Sequence, residues 1–213
     1  MPANSADLAS LLCSRLCHDM LSPVGAMSNG LELLVEENDE QMRARCIELL
    51  QQSAKISTDK LKFFRLAFGA AGGFGDAVPV SEAHDLVAGL VSNNERIALD
   101  WQVSAETLPK PAVKTLLNLT LFAYDALVRG GTLQVAVEEA GGASEIVVRA
   151  SGDKVVFDEN IGRAMEGVIP DYGLTPKTAP AAMIHEIATQ TGGTLQYALS
   201  DEALVLGAVL PAA

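Results

Sequence analysis

Apolar side chains recur three or four residues apart near the start of this chain, and that spacing constrains its fold more than any other feature. The repeat comprises Leu12, Leu16, Met20, Val24, Met27, Leu31 and Leu34. Such spacing places every member on one face of an α-helix. The pattern pauses at Asn38 and Asp39, resumes in a second helical repeat, and ends at a glycine-rich segment over residues 69–75. We therefore predict a helical hairpin over residues 1–70.

Two helices cannot enclose two broad apolar stripes by themselves. A second copy of the hairpin would bury both stripes in a four-helix bundle, so we predict a homodimer. The seam expected between the copies contains Leu31, Leu34, Leu49 and Ile56. The alternative is that the hairpin packs onto the rest of its own chain.

The pattern becomes mixed after a predicted linker at residues 71–78. Helical patterns cover residues 81–94, 109–129, 158–166 and 179–191. Alternating patterns typical of strands cover residues 96–104, 132–139, 145–150, 194–199 and 203–210. These elements predict an α+β domain over residues 79–213, with helices on one face of a mainly antiparallel sheet.

Composition excludes several classes of function. The 213 residues carry a formal net charge of −12, which would repel the phosphates of a nucleic acid. No apolar stretch reaches the roughly 20 uncharged residues of a membrane span, and the first residues lack the basic segment of a signal peptide. We expect a cytoplasmic protein that binds neither nucleic acid nor membrane.

The cysteines are Cys13, Cys17 and Cys46, an odd number in apolar helical settings that favours reduced, packed thiols. Zinc is the alternative, with Cys46 or His18 joining the other two, but no CxxC pair supports it.

The first helix contains the hexapeptide His-Asp-Met-Leu-Ser-Pro at residues 18–23, in which His18 lies off the apolar stripe. Asp19 can turn its carboxylate to Nδ1 of His18 and leave Nε2 free. Pro23 lacks an N–H and clashes with the carbonyl of Asp19, so we expect the helix to bend there. The face around His18 carries Leu11, Arg15, Leu21, Ser22, Gly25 and Asn29. This mixed, small-residue face can admit a partner, although a single helical histidine beside an acid is more often a solvated surface residue.

A histidine and aspartate followed four residues later by proline, in a long first helix of a hairpin that precedes an α+β domain, resemble a two-component histidine kinase. In this resemblance the hairpin is the dimerisation and phosphoacceptor region, and residues 79–213 are the ATPase-type domain. Asn118-Leu119, Ala123 and the Gly-Gly-Thr at residues 130–132 resemble the kinase N-box helix and the strand after it. The resemblance covers nearly the whole chain and implies a Bergerat-type α/β sandwich.

The chain departs from the kinase pattern where kinases hold nucleotide. Phe122 occupies the position of the N-box asparagine that binds Mg²⁺, and its side chain offers no lone pair to a hard cation. Tyr124 and Asp125 beside it could form a polar pocket, but neither replaces that asparagine in register. The Asp-x-Gly-x-Gly segment is replaced by Ser-Gly-Asp-Lys-Val-Val at residues 151–156, and the second glycine-rich loop by Pro-Lys-Thr-Ala-Pro-Ala at residues 176–181. We expect no nucleotide, metal or other cofactor on this chain.

An intact histidine with a degraded ATP site and no sensor resembles the ChpT family of alphaproteobacterial histidine phosphotransferases. That family relays phosphate from the receiver domain of a hybrid histidine kinase to response-regulator receiver domains that govern the cell cycle. The resemblance implies that His18 is the phosphoacceptor, that Asp19 orients it or acts as base, and that Mg²⁺ comes with the partner receiver domain.

The residues around His18 would then contact the receiver. Arg15 would steer acidic receiver surface or phosphate, unless it is simply solvated. Ser22 and Gly25 would leave room for an inserted receiver helix, the alternative being close packing between the hairpin helices. Leu21 and Asn29 complete this partner-binding face, and the degraded domain would contribute a further docking surface.

Two other functions remain open on sequence alone: a sensor-less histidine kinase with divergent ATP binding, and a non-enzymatic dimeric adaptor. His84 and His185 also have acidic neighbours, but they match no motif and are assigned no chemistry. Trp101 alternates with apolar residues in a predicted strand, which favours a buried anchor.

Overall fold

The computed structural model describes residues 5–69, 75–170 and 173–211. The helices are α1 (Ser5–Glu36), α2 (Glu40–Ala67), α3 (Val80–Val91), α4 (Lys110–Ala126), α5 (Glu159–Met165) and α6 (Ala179–Thr191). The strands are β1 (Ala77–Pro79), β2 (Ile97–Val103), β3 (Thr107–Pro109), β4 (Gly131–Ala140), β5 (Ala143–Ser151), β6 (Thr194–Leu199) and β7 (Ala203–Pro211). The predicted order of a helical hairpin followed by an α+β domain is confirmed.

Local interactions form the hairpin turn between α1 and α2. Asp39 caps α2 by accepting a hydrogen bond from the backbone N–H of Met42 at 2.9 Å. Arg43 donates to the carbonyls of Leu34 and Glu37, which have no helical partners at the end of α1. Gly30 faces α2 so closely that an added Cβ would lie 3.1 Å from the side chain of Leu50.

The main sheet has the strand order β2-β4-β5-β7-β6, with β2 parallel to β4 and every other pair antiparallel. Alternate residues of β4, such as Leu133 and Val135, are buried beneath the helices. Val147 in β5 belongs to the opposite, solvent-facing surface. The prediction of a mainly antiparallel sheet covered by helices on one face is therefore confirmed.

A second, two-stranded sheet pairs β1 with β3 and was not predicted. Strands of three residues are too short to show an alternating pattern. Val78 of β1 and Leu108 of β3 are fully buried, and α3 and α4 begin directly after these strands. Residues 71–74 of the predicted linker lie outside the described residues, while Val78 at its end is part of the folded core.

The base of the hairpin shares its hydrophobic core with the α+β domain. Leu8 of α1 and Phe63 and Phe64 of α2 belong to the same buried cluster as α4 and the sheet. Nδ2 of Asn118 in α4 donates to the carbonyl of Ala67 at 3.2 Å, which fixes the end of α2 on the domain. The alternative in which the hairpin packs onto its own chain is correct for this half of the hairpin.

The distal half of the hairpin leaves apolar side chains exposed. These are Leu21, Val24, Leu31, Leu33, Val35, Met42, Ile47, Leu49 and, nearer the base, Leu61. These side chains divide between two flanks of the hairpin. Phe63 faces the α+β domain, and Leu49 and Ile56 precede it by fourteen and seven residues, so they lie on the same side of α2. Leu61 lies on a different side of α2 from fully buried Phe63, and Ile47 shares that uncovered side. Leu49 and Ile56 of the predicted seam lie on the domain flank, whereas Ile47 and Leu61 do not, so the residues of that seam divide between two flanks.

Within the parts of the chain that the structure describes, no helix combines the length and apolarity needed to cross a membrane.

Candidate functional site

His18 lies in the middle of α1 with its side chain 82% exposed to solvent. Its Nδ1 lies 3.1 Å from Oδ1 of Asp19. A carboxylate acceptor at Nδ1 favours the tautomer with the proton on Nδ1 and the lone pair on Nε2. The pairing expected from the sequence is present, and it would place the lone pair of an accessible imidazole on Nε2.

Asp19 is fixed from two directions. Its Oδ2 accepts a hydrogen bond from Nε of Arg15 at 2.8 Å, one helical turn earlier. Its backbone carbonyl accepts from Nζ of Lys60 in α2 at 3.1 Å, since Pro23 four residues later has no N–H to donate. Arg15 of α1 therefore holds the carboxylate that pairs with His18, and Lys60 of α2 holds the backbone of the same residue.

Arg15 does not lie where the sequence predicted. Its side chain is only 11% exposed, and Nη2 donates to Oδ2 of Asp125 in α4 at 2.8 Å. Burial acts to lower the pKa of Arg15, but its bonds to Asp125 and Asp19 outweigh burial and raise that pKa above its usual value. The expectation of an exposed cation is wrong because the contact between α1 and α4 cannot be seen in the spacing of α1 alone.

Leu11, at one end of the face around His18, is half-buried against the core, and the part of the face beyond His18 is open. Leu21, Ser22 and Asn29 are exposed, and a Cβ added to Gly25 would meet no atom within 4 Å. Close packing between the hairpin helices therefore does not explain Gly25, and it applies instead to Gly30. This surface has the room that we expected for an inserted partner.

A cleft of about 710 Å³ separates His18 from the α+β domain. Arg15 and Asp19 line it on the α1 side, and Phe122 and Asp125 line it on the α4 side. Phe122 is buried and forms an apolar wall at the position where the kinase resemblance places a magnesium ligand.

The far rim of the cleft is formed by an ion pair. Nζ of Lys177, from the segment at residues 176–181, lies 3.1 Å from Oδ2 of Asp158. Asp158 also caps α5 by accepting from the N–H of Asn160. Partial burial acts to raise the pKa of Asp158, and the bonds from Lys177 and Asn160 outweigh it, so that pKa is lowered.

Nothing in this site is arranged as a metal centre. Across residues 5–69, 75–170 and 173–211, no group of three or more His, Cys, Asp or Glu side chains is placed to hold an ion. Cys13 and Cys17 are exposed, whereas Cys46 is buried near the far end of the hairpin, about 25 Å along the helices from Cys17 at 1.5 Å per residue.

The other histidines and Trp101 have structural contacts. His84 meets the half-buried Trp101 edge to face, with ring centroids 5.2 Å apart. Nδ1 of His185 lies 2.9 Å from the carbonyl of Met165 at the end of α5. Asp125 was not predicted as a site residue. The sequence showed only that its carboxylate lies near Phe122 in the helix that resembles the N-box.

Comparisons with known proteins show the family of the chain. Residues 80–203 match the family model described as "Histidine phosphotransferase C-terminal domain". The chain is 34% identical to the protein phosphotransferase ChpT of Brucella abortus (strain 2308), over 96% of each chain. It is also 31% identical over 93 residues to the sensor histidine kinase ZraS of Escherichia coli O157:H7, covering 42% of this chain and 19% of that one.

A solved structure titled as that of a bacterial phosphotransferase superposes with a TM-score of 0.85, at 30% identity and over 98% of both chains. The family model spans more than half of the chain, and a phosphotransferase relative spans nearly all of it. The chain therefore belongs to the histidine phosphotransferase family, the kinase-like phosphotransferases of two-component signalling.

Proposed function

We propose that this protein takes a phosphoryl group from the aspartyl phosphate of a hybrid-kinase receiver domain onto Nε2 of His18. It then passes that group to the receiver domains of response regulators. The observation that carries the proposal is the exposed imidazole whose Nδ1 is paired with Asp19 at 3.1 Å, leaving Nε2 to react.

The transfer balances with the groups available. The lone pair of Nε2 attacks phosphorus, an N–P bond forms, and the P–O bond breaks with its electron pair leaving on the receiver carboxylate. The proton stays on Nδ1, hydrogen-bonded to Asp19, so the ring becomes positively charged and the Asp19 carboxylate stabilises it. In the second half-reaction the carboxylate of the next receiver attacks phosphorus and Nε2 leaves with the electron pair.

The main group that this chain must provide for the reaction is an oriented imidazole. Phosphoryl transfer depends mainly on positioning and charge neutralisation. The Mg²⁺ and lysine that neutralise the phosphate are those of the receiver domain, and Phe122 offers a metal no ligand. We therefore assign no ATP-dependent autokinase activity and no cofactor to this protein, which acts with its receiver partners in the cytoplasm.

Receiver docking is proposed on the flank that carries His18. Ser22, Gly25 and Asn29 leave open surface there, and the exposed Leu49 adds apolar area on the neighbouring helix. The α+β domain borders the same flank across the cleft, so we propose that it adds to receiver recognition instead of binding nucleotide.

Homodimerisation is proposed through the other flank. Val24 and Leu31 on α1 and Ile47 and Leu61 on α2 are exposed there, away from the α+β domain. An apolar surface running along two helices is a liability in a monomer. Pairing two such surfaces completes a four-helix bundle.

The test is transfer of label from a phosphorylated receiver domain in the absence of ATP. The wild-type protein is expected to acquire acid-labile, alkali-stable label. His18→Gln should abolish it, because the amide cannot act as the nucleophile. His84→Gln is the matched control, since His84 also has an aspartate at Nδ1, 3.3 Å away, and should retain full labelling. Labelled His18→Gln protein, or a wild-type protein labelled only by ATP, would contradict the proposal.

A further inference from the structure

A chain of charged contacts connects the α+β domain to the imidazole. Asp125 Oδ2 accepts from Nη2 of Arg15 at 2.8 Å, Nε of Arg15 donates to Oδ2 of Asp19 at 2.8 Å, and Oδ1 of Asp19 lies 3.1 Å from Nδ1 of His18. The first contact joins residues 110 positions apart in sequence. The other contacts lie within one turn of α1.

Two groups compete for the negative charge of the Asp19 carboxylate. When the His18 ring becomes positive, Oδ1 of Asp19 stabilises it at Nδ1, but Oδ2 of the same carboxylate is bonded to the positive guanidinium of Arg15. A second anion beside Arg15 reduces the neutralisation of Asp19 by the guanidinium, because one positive charge is then divided between two carboxylates. Asp125 supplies that second anion from the neighbouring domain; burial raises the pKa of its carboxyl, and the adjacent Arg15 opposes that rise.

We propose that Asp125 is a positioning residue for phosphotransfer: by neutralising Arg15 it leaves the charge of Asp19 available to His18. The inference deepens the proposed function and rests on it. It assigns to the degraded domain an electrostatic effect on the reacting histidine that is transmitted through Arg15 and Asp19, in addition to docking.

Other charged groups near His18 on the neighbouring elements also contribute to the electrostatic potential at its ring. Lys60 approaches the Asp19 carbonyl from α2. Across the cleft, Asp158 and Lys177 pair with one another and largely cancel. Asp125 and Arg15 are therefore the coupled charges whose balance reaches His18 through Asp19.

The first measurement is the His18 pKa by NMR titration of the intact protein, which requires no partner and no phosphate. Asp125→Asn leaves Arg15 with Asp19 alone, so the positive ring is less well stabilised and the NMR titration of His18 in this variant should move to lower pH than in the wild type. Asp125→Glu restores an anion and should return the pKa towards the wild-type value. Asp85→Asn, which makes the same charge change beside His84, should leave the His18 pKa unchanged.

A double-mutant cycle separates the contact chain from direct charge effects. In an Arg15→Gln background the guanidinium is absent, so adding Asp125→Asn should produce no further fall in the His18 pKa. A fall of the same size in both backgrounds, or the same fall in Asp85→Asn, would overturn the proposal. Thermal unfolding of each variant checks that the comparison is made between folded proteins.

The second measurement is the equilibrium level of phosphohistidine reached from a phosphorylated receiver. Because phosphorylation also leaves the ring positive, Asp125→Asn should lower the transfer equilibrium constant by the factor that corresponds to the measured shift in the His18 titration. The receiver concentration for half-maximal transfer should stay unchanged. If wild-type protein accepts no label, the proposed function fails while the titration still tests the contact chain. If wild-type protein transfers normally and Asp125→Asn matches it, the role of Asp125 is refuted.

Discussion

The orientation and hydrogen bonding of each side chain in this site are determined by residues that contact it in the folded structure. His18 is exposed, but the aspartate that orients it is partly buried and bonded to Arg15. Phe122 is buried and forms an apolar wall of the cleft. Asn118, one turn earlier in α4, donates to the carbonyl of Ala67 and so fixes the hairpin on the domain.

Asp158 allows a test of the cleft rim by pH. Its pKa is lowered in the folded protein, so its ionised form contributes stability that is present above the unfolded pKa, about 3.9, and is lost as pH falls through the lower folded value. Asp158→Asn keeps a cap acceptor for α5 but loses the pair with Lys177. The free energy of unfolding should drop by about 0.5 kcal/mol at pH 7, since Lys177 is mostly exposed.

Urea denaturation at pH 7 and at two pH values below about 3.9 measures that difference. It should shrink towards zero in acid, and Lys177→Met should reproduce the loss at pH 7. A difference between wild type and Asp158→Asn that is constant with pH would show that the ion pair contributes nothing.

Sequence reasoning found the local part of the site and missed the long-range part. Asp19 follows His18 directly, so its bond to Nδ1 could be predicted from adjacency. The burial of Arg15 depends on Asp125, and no periodicity in α1 reports a partner in α4. The sequence showed a carboxylate beside Phe122 but could not show which cation it meets.

At the scale of elements, the hairpin has two apolar flanks of different character. One flank carries His18 and is bordered by the α+β domain, and the other carries Val24 and Leu31 and faces solvent. Heptad-like spacing predicted both stripes but merged them into one seam, because a helical repeat gives no information on which side a neighbouring domain covers. Leu31 and Leu49 are almost equally exposed, at 55% and 57%, and they form a matched pair for testing the assignment.

Leu31→Asp should dissociate the proposed dimer, since it would bury an unpaired charge between two hairpins. Leu49→Asp makes the same change on the other flank and should leave the dimer intact. Light scattering at micromolar concentration distinguishes the two outcomes. A monomeric wild type would refute the proposed assembly, and dissociation by Leu49→Asp alone would reverse the assignment of the flanks.

At the scale of the whole molecule, the kinase-like architecture persists around a site with altered chemistry. The helix order, the sheet and the turn at Gly130 and Gly131 follow the sequence prediction closely, because glycines, helix starts and alternating strands are local signals. At Gly130, φ is 91° and an added Cβ would contact the carbonyl of Arg96, so glycine is required there. The relative placement of hairpin and domain could not be predicted, because it rests on contacts such as that between Asn118 and Ala67.

Millimolar ATP with Mg²⁺ is expected to leave the thermal unfolding temperature unchanged. Phe122 provides no metal ligand, and Lys177 is paired with Asp158 at the rim of the cleft. A ligand present at a hundredfold excess over its dissociation constant would stabilise the folded state by about 2.7 kcal/mol, an effect that thermal unfolding detects easily. Inorganic triphosphate at equal ionic strength controls for general anion effects, and stabilisation specific to ATP would contradict the expectation.

The shared core also bears on what would limit the rate of the proposed phosphotransfer. Phe63 and Phe64 of the hairpin are packed among residues of the α+β domain, and separating the two parts would expose both rings to water. Burial of these rings opposes a hinge motion that would carry the domain to and from His18. In the proposed phosphotransfer the histidine would therefore stay in place, and each phosphoryl group would arrive by diffusion on another molecule. At low partner concentration the flux through this protein should therefore rise in proportion to the number of encounters, with no slow internal motion to limit it.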